Sequence, residues 1–168
     1  MKDIELASID EIDLIMKIIK ACTKHMIDNG IFQWNDKYPT KQSFVDDINN
    51  NDLFVLKLEN KIIGCICASF DMDEFYKQIV WETSSKKNIY LHRFAIHPDY
   101  QGQGLAKYFM DYIENYAKEN GCLSVRLDTF SLNKKNNYLY SNLGYKKLGK
   151  IYFRDQSDMP FNCYEKLL

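Results

Sequence analysis

The chain has 168 residues, 46% of them hydrophobic and 27% charged, with 22 Lys+Arg against 23 Asp+Glu and a formal net charge of -1. That is the composition of one folded domain, and it excludes a disordered or fibrous chain. Without a basic excess there is no electrostatic case for a nucleic-acid binder. No apolar run approaches the roughly 18 residues that a membrane-spanning helix needs, so no membrane partner is expected. The opening residues Met1 to Leu6 lack the apolar stretch of a signal peptide. Five cysteines, at 22, 65, 67, 122 and 163, are odd in number, and reduced thiols in a cytoplasmic protein are the expectation. With histidines only at 25, 92 and 97 there is no zinc-ligand spacing, and no metal is implied.

Residues 1–7 read as a short strand. Ser8 with Glu11 is a capping-box pair, followed by Ile12, Ile15, Met16, Ile19, Cys22 and Met26 at helical spacing and by Gly30 as a stop. Residues 31–39 form a loop carrying Phe32, Trp34 and Tyr38. Thr40 caps a short second helix that ends near Asn50. Leu53 to Leu58 and Ile62 to Phe70 make a hairpin around Glu59-Asn60-Lys61. Residues 71–87 are polar and ambiguous, with Tyr76, Trp81 and Glu82 among them. Ile89 to His97 is a strand ended by Pro98-Asp99.

A helix from about Gln103 to Asn120 presents Leu105, Tyr108, Phe109, Tyr112, Ile113 and Tyr116 on one face. Lys107, Asp111, Glu114, Lys118 and Glu119 lie elsewhere, within reach of water. Gly121 supplies the C-cap. Cys122 to Phe130 is the next strand, Asn133 to Leu143 a short helix, and 145–154 and 161–168 are the last two strands. The order is a mixed α/β layer fold, with hairpins first and a strand–helix–strand crossover in the second half.

The informative stretch runs from Leu91 to Ala106. A strand ends at a Pro-bearing turn, and Gly102 and Gly104 then open an amphipathic helix. Glycines let backbone approach a ligand, the first amides of a helix lack intrahelical acceptors, and the helix dipole adds partial positive charge. A phosphate or diphosphate is the natural occupant. The dinucleotide fingerprint G-x-G-x-x-G fails because Lys107 stands where its third glycine would be, and no P-loop pattern occurs. Alone, Gly-x-Gly would read as a bare turn before a helix.

Gln101-Gly102-Gln103-Gly104-Leu105-Ala106 resembles the Q/R-x-x-G-x-G/A signature of the GNAT superfamily of acyl-CoA-dependent N-acetyltransferases. Phe94-Ala95-Ile96-His97-Pro98 is similar to the strand end that precedes it in that family. Downstream, Asn133 to Tyr145 resembles N-x-x-A-x-x-L/F-Y-x-x-x-G-F/Y, with Asn136 in place of the usual Ala. The two elements cover residues 89–145. The resemblance implies one acetyltransferase domain over 1–168, with a mixed, mostly antiparallel central sheet of six to seven strands and about four helices. It implies acetyl-CoA as cosubstrate, its diphosphate on the amides of Gln101, Gly102, Gln103, Gly104, Leu105, Ala106 and Lys107. Its pantetheine arm would lie against a strand end at Phe94, Ala95 and Ile96 that is splayed from its neighbour by a bulge, with a main-chain amide there as oxyanion donor. Asn133 would bond the pantetheine amides, with Lys135 and Asn136 beside it. Tyr140 would protonate the departing thiolate, although a helix tyrosine packed on the last strands is the plain alternative, as an N-cap is for Asn133.

The resemblance implies a primary amine as acceptor, protonated at neutral pH, so a base must take its proton. The family has no fixed base position; Glu82, His92 and Asp128 are the candidates. Each has a structural alternative: a solvated loop carboxylate for Glu82, a satisfied sheet histidine for His92, and an ion pair with Arg93 or Arg126 for Asp128. His92 is expected on the same strand face as Phe94. Trp34, Tyr38, Tyr76 and Trp81 could wall a pocket for a small organic amine or anchor loops to the core. With no cysteine in the matched motifs, direct transfer in a ternary complex is expected. Acetylation of protein N-termini or lysines, or acyl-CoA binding without turnover, are the competing functions. Dimers are frequent in the family, and a homodimer is the assembly it implies.

Overall fold

The capping box read at Ser8 is present. The Ser8 N–H donates to Glu11 Oε2 at 2.9 Å, and a single 3-10 turn then feeds helix α1, Ile12–Asp28. In this computed structural model, which describes residues 1–84 and 86–168, helix α2 (Lys41–Asn49) starts where Thr40 Oγ1 accepts the Ser43 N–H. Strands β1 (Lys2–Leu6), β2 (Leu53–Leu58) and β3 (Lys61–Ser69) pair antiparallel in succession. Glu59 and Asn60 both have positive φ, as a two-residue hairpin turn requires. Strand β4 spans Asn88–Ile96, helix α3 Leu105–Glu119, β5 Ser124–Phe130, α4 Lys134–Asn142, β6 Lys146–Ile151 and β7 Phe161–Leu167.

The seven strands form a mixed, mostly antiparallel sheet in the order β1-β2-β3-β4-β5-β7-β6. The β4–α3–β5 crossover makes the parallel pair. The chain divides into two compact units. The first holds Met1–Ala68 and Arg93–Tyr112, the second Ser69–His92 and Ile113–Leu168. The backbone passes from one to the other within β4 and again within α3.

In the first unit, Ile15, Ile19, Phe44, Leu53, Val55 and Cys65 are buried in one apolar cluster. Each fully buried aliphatic or aromatic side chain contributes about 1.5–3 kcal/mol relative to exposure. Trp34 belongs to this cluster and Tyr38 packs against it, so these two loop aromatics anchor the loop to the core. Gly64 of β3 lies so close to β4 that an added Cβ would stand 2.6 Å from the Ala95 carbonyl oxygen. Only glycine permits that backbone approach.

Several boundaries and faces differ from the sequence expectation. Helix α3 begins at Leu105, not near Gln103, because Gly102 and Gly104 take φ of +76° and +74° and stay outside the helix. Its buried face is Leu105, Phe109, Met110, Ile113 and Ala117; Tyr108 and Tyr112 are exposed. At the margin of the stripe, the Tyr108 hydroxyl donates to the Lys2 carbonyl at 3.5 Å and Tyr112 packs edge-on against Phe54. Glu114, expected in water, is buried, and it accepts from Tyr145 Oη at 3.0 Å and Lys166 Nζ at 2.6 Å. The ambiguous stretch forms a 3-10 segment, Glu74–Gln78, which buries Tyr76 completely.

Candidate active site

The first unit carries the glycine loop. Gln101 Nε2 donates to the Ile96 carbonyl at 2.9 Å and so ties the loop to the end of β4. The loop residues Gly102, Gln103 and Gly104 are exposed, and a Cβ at either glycine would meet nothing within 4 Å. The first hydrogen bond at the helix entry runs from the Tyr108 N–H to the Gly104 carbonyl at 3.1 Å. The amides of Leu105, Ala106 and Lys107 therefore precede the helical ladder, at its positive end. Two positive-φ glycines, an open surface and a cationic Lys107 fit a diphosphate.

The strand that leads into this loop is irregular at Arg93, whose φ is +52°. A non-glycine residue there carries backbone strain of about 1–3 kcal/mol, held by its surroundings. Arg93 Nε and Nη2 reach Asp47 Oδ2 and Oδ1 at 2.7 and 2.6 Å, and Nη1 reaches Tyr38 Oη at 3.3 Å. Pairing of β4 with β5 runs only from Asn88↔Ser124 to Leu91↔Leu127. The strand irregularity expected near Phe94 thus lies at Arg93. It interrupts the period-two alternation on which the shared face of His92 and Phe94 rested. Within the first unit the Phe94 ring packs edge-on against Phe109, centroids 5.9 Å apart.

The second unit carries Tyr140, Asn133 and Asp128. Asn133 is the N-cap of α4, its Oδ1 accepting the Asn136 N–H at 3.1 Å. Asn136, where the family pattern has Ala, donates to Thr129 Oγ1 at 3.3 Å, and Lys135 is exposed on the first turn. Tyr140 is buried against the Tyr145 and Tyr164 rings. Among the described residues its hydroxyl has no hydrogen-bond partner. Burial, reinforced by the Asp128 charge and by Tyr164, pushes its pKa well above the ordinary tyrosine value, so the phenol stays protonated.

Asp128 accepts the Tyr76 hydroxyl at 2.6 Å. Of the two arginines near it in sequence, Arg93 pairs with Asp47 and Arg126 with Glu165. The His92 ring stands 6.0 Å from that of Tyr76. Glu82 is an exposed loop carboxylate that pairs with Lys146 Nζ at 2.5 Å.

Sequence reading missed the partners of these groups. Tyr76 precedes Asp128 by 52 residues, Asp47 precedes Arg93 by 46 and Arg126 precedes Glu165 by 39. No local spacing signals such pairs.

Arg126 and Glu165 form a fully buried pair. Arg126 lies over the Trp81 ring at 4.5 Å and donates to Tyr90 Oη at 3.2 Å. Burial alone would raise the Glu165 pKa. Hydrogen bonds from Ser124, Thr83, the Glu82 amide and Arg126 outweigh it and hold the carboxyl below the usual range. A depressed folded-state pKa stabilises the fold above the unfolded value, and that contribution is lost as pH falls through the folded one. Glu165→Gln would leave Arg126 buried without its counter-charge and should destabilise by about 3–5 kcal/mol at neutral pH. Denaturant melts at pH 7 and pH 4 check this: the variant's deficit should shrink in acid, and an equal deficit at both pH values would contradict the linkage.

A model of the Acetyltransferase (GNAT) family matches residues 15–145, and the chain belongs to that family. A thialysine N-ε-acetyltransferase of Sus scrofa is 33% identical over 69 residues, 41% of this chain and 41% of that one. The chain spans about two-fifths of the length of the curated relatives it matches. A crystal structure of a GNAT-family acetyltransferase from Streptococcus agalactiae superposes with TM-score 0.85 at 26% identity, covering 99% of this chain and 95% of that one. The PaiA N-acetyltransferase of Thermoplasma acidophilum, solved in complex with coenzyme A, shares the fold at 19% identity, with TM-score 0.71 and coverage of 100% and 99%. No helix among the described residues is long and apolar enough to cross a membrane.

Proposed function

We propose that this chain transfers the acetyl group of acetyl-CoA to a primary amine of a small molecule, by direct attack in a ternary complex. The observation that carries the reading is the paired positive-φ glycines at the start of α3, an exposed, amide-rich cradle suited to the diphosphate of coenzyme A. The solved relative that holds coenzyme A supports this cosubstrate by its fold. In this reading the amides of residues 101–107 hold the diphosphate. The strand end at Phe94–Ile96 receives the pantetheine arm, and Asn133 with its α4 neighbours Lys135 and Asn136 contacts it.

The amine nitrogen attacks the thioester carbonyl. A C–N bond forms, the C–S bond breaks, and a main-chain amide at residues 94–96 stabilises the oxyanion. Asp128 takes the proton of the acceptor ammonium before attack, and Tyr140 gives its proton to the leaving thiolate. Asp128 is preferred to Glu82, whose carboxylate pairs with Lys146; His92 is the other candidate base. All five thiols are buried, and burial raises their pKa values, that of Cys22 to about 12. A thiol held protonated is a poor nucleophile, which favours direct transfer over an acetyl-cysteine intermediate.

The test is release of free coenzyme A thiol with a panel of thialysine, polyamines, amino acids, aminoglycosides and peptides. Turnover is expected with a small amine, and Asp128→Asn should lower kcat/KM for it by about 10²-fold or more. Faster turnover of peptides than of every free amine would make the chain a protein acetyltransferase. Binding without turnover of any acceptor would make it an acyl-CoA-binding module. Unchanged kcat/KM in Asp128→Asn would move the base to His92.

A further inference from the structure

Within the second unit one hydroxyl is placed on the Asp128 carboxylate by a fully buried ring. Tyr76 has no solvent exposure, and its hydroxyl donates to Asp128 Oδ1 at 2.6 Å, the length of a charge-assisted O–H···O⁻ bond. Its ring is held from three sides. Trp81, Tyr90 and His92 stand with centroids 5.4, 5.9 and 6.0 Å away. Its backbone is held as well: the Trp81 indole N–H donates to the Tyr76 carbonyl at 3.0 Å, and Asp73 caps the 3-10 turn through the Phe75 N–H at 2.9 Å. Trp81 is itself stacked on Arg126, whose carboxylate partner is Glu165. The phenol is thus fully buried within an aromatic cluster.

We infer that Tyr76 is a positioning residue for the Asp128 carboxylate: its hydroxyl aims the carboxylate and favours the ionised form that can accept a proton. The inference rests on the reading of Asp128 as the base. The physical reason is direct. A carboxylate that receives a hydrogen bond loses part of that interaction when it is protonated, so the donor lowers its pKa. Tyr76 is suited to this because it stays neutral: burial, and then the Asp128 charge, push its own pKa well above the tyrosine value. A buried lysine at the same place would also lower the carboxylate pKa, but it would neutralise the charge that attracts the acceptor ammonium. A neutral phenol adds no charge of its own.

The other titratable groups that bear on Asp128 come from each packed element. Cys163 is its register partner on β7, and burial and Asp128 keep that thiol protonated. Tyr140 of α4 is raised in part by the same charge. His92 follows the last paired residue of β4 and shares the Tyr76 ring. Asp73, in the turn that carries Tyr76, adds a like charge to the phenol's surroundings. The Tyr76 hydroxyl donates directly to an Asp128 oxygen.

The experiment is a carboxyl ¹³C NMR titration of the ligand-free full chain, with the Asp128 signal assigned by its loss in Asp128→Asn. Tyr76→Phe keeps the ring and removes the hydroxyl. The Asp128 midpoint should rise by about one to two pH units in Tyr76→Phe, the loss expected for one charged hydrogen bond. In parallel, the acid limb of the kcat/KM profile, with acetyl-CoA and thialysine as probes, should move up by the same amount, while KM for acetyl-CoA stays unchanged. An Asp128 midpoint that does not move would overturn the inference whatever the rates do. A midpoint that rises with no change in the acid limb would overturn the kinetic role of Tyr76 and the assignment of Asp128 as base together. The Asp128→Asn rate separates the two, because a full rate there refutes the base and leaves the titration result standing.

Discussion

Tyr140→Phe is expected to lower kcat by about 10²-fold or more while acetyl-CoA binds with nearly unchanged affinity. The departing coenzyme A thiolate is the conjugate base of a thiol with a pKa of about 8.5, and its expulsion is eased by a proton delivered as the C–S bond breaks. Tyr140 is the side chain whose state suits that delivery. Its burial keeps the phenol neutral, and its neighbours are the rings of Tyr145 and Tyr164, so the hydroxyl is not consumed by another acceptor. Phenylalanine fills the same aromatic packing, and the fold should be retained. Stopped-flow turnover with capture of the released coenzyme A thiol by an aromatic disulfide, read beside calorimetric titration with acetyl-CoA, separates chemistry from binding. Turnover unchanged within twofold would remove Tyr140 from the reaction and leave it a packed helix tyrosine.

Gly104→Glu is expected to abolish acetyl-CoA binding with a much smaller effect on the fold. At φ of +74° any side chain costs about 1–2 kcal/mol of backbone strain. Nothing lies within 4 Å of the added Cβ, so there is no steric penalty inside the protein. The loss falls on the ligand: a carboxylate about 4 Å from a diphosphate charge at the surface costs about 4 kcal/mol at an effective dielectric of 20. Affinity should therefore fall by more than about 10²-fold. Gly104→Ala separates strain from charge, since it carries the first and not the second and should bind more tightly than the glutamate variant. Retained calorimetric affinity in Gly104→Glu would displace the diphosphate from this loop. Because one variant acts on binding and the other on turnover, the two test different halves of the proposed reaction.

Much of the architecture was legible in the amino-acid order. Both N-caps, at Ser8 and Thr40, the Glu59–Asn60 turn and the glycine pair before α3 are local devices. Each is written within four residues of the backbone it shapes, and so each is readable from spacing. The strand and helix alternation around residues 89–130 dictates a parallel crossover for the same reason of chain length. The helix faces were less legible at their edges. Tyr108 and Tyr112 fit the apolar period of α3 yet lie exposed, because a tyrosine's amphipathic ring tolerates either side of the margin. Glu114 breaks the period and is buried, because Tyr145 and Lys166, from the far end of the chain, meet its two oxygens.

What the sequence by itself determined was the order of elements, the glycine loop before α3 and the residues that match the family's two motifs, since these depend on contacts between near neighbours. Tertiary structure alone decided which polar groups meet. It gave Arg93 to Asp47 and Arg126 to Glu165, and it set the Tyr76 hydroxyl on Asp128. Side-chain partners 39 to 52 residues apart are chosen by the pairing register of strands and by the demand that every buried charge find a partner. Neither leaves a periodic trace along the chain.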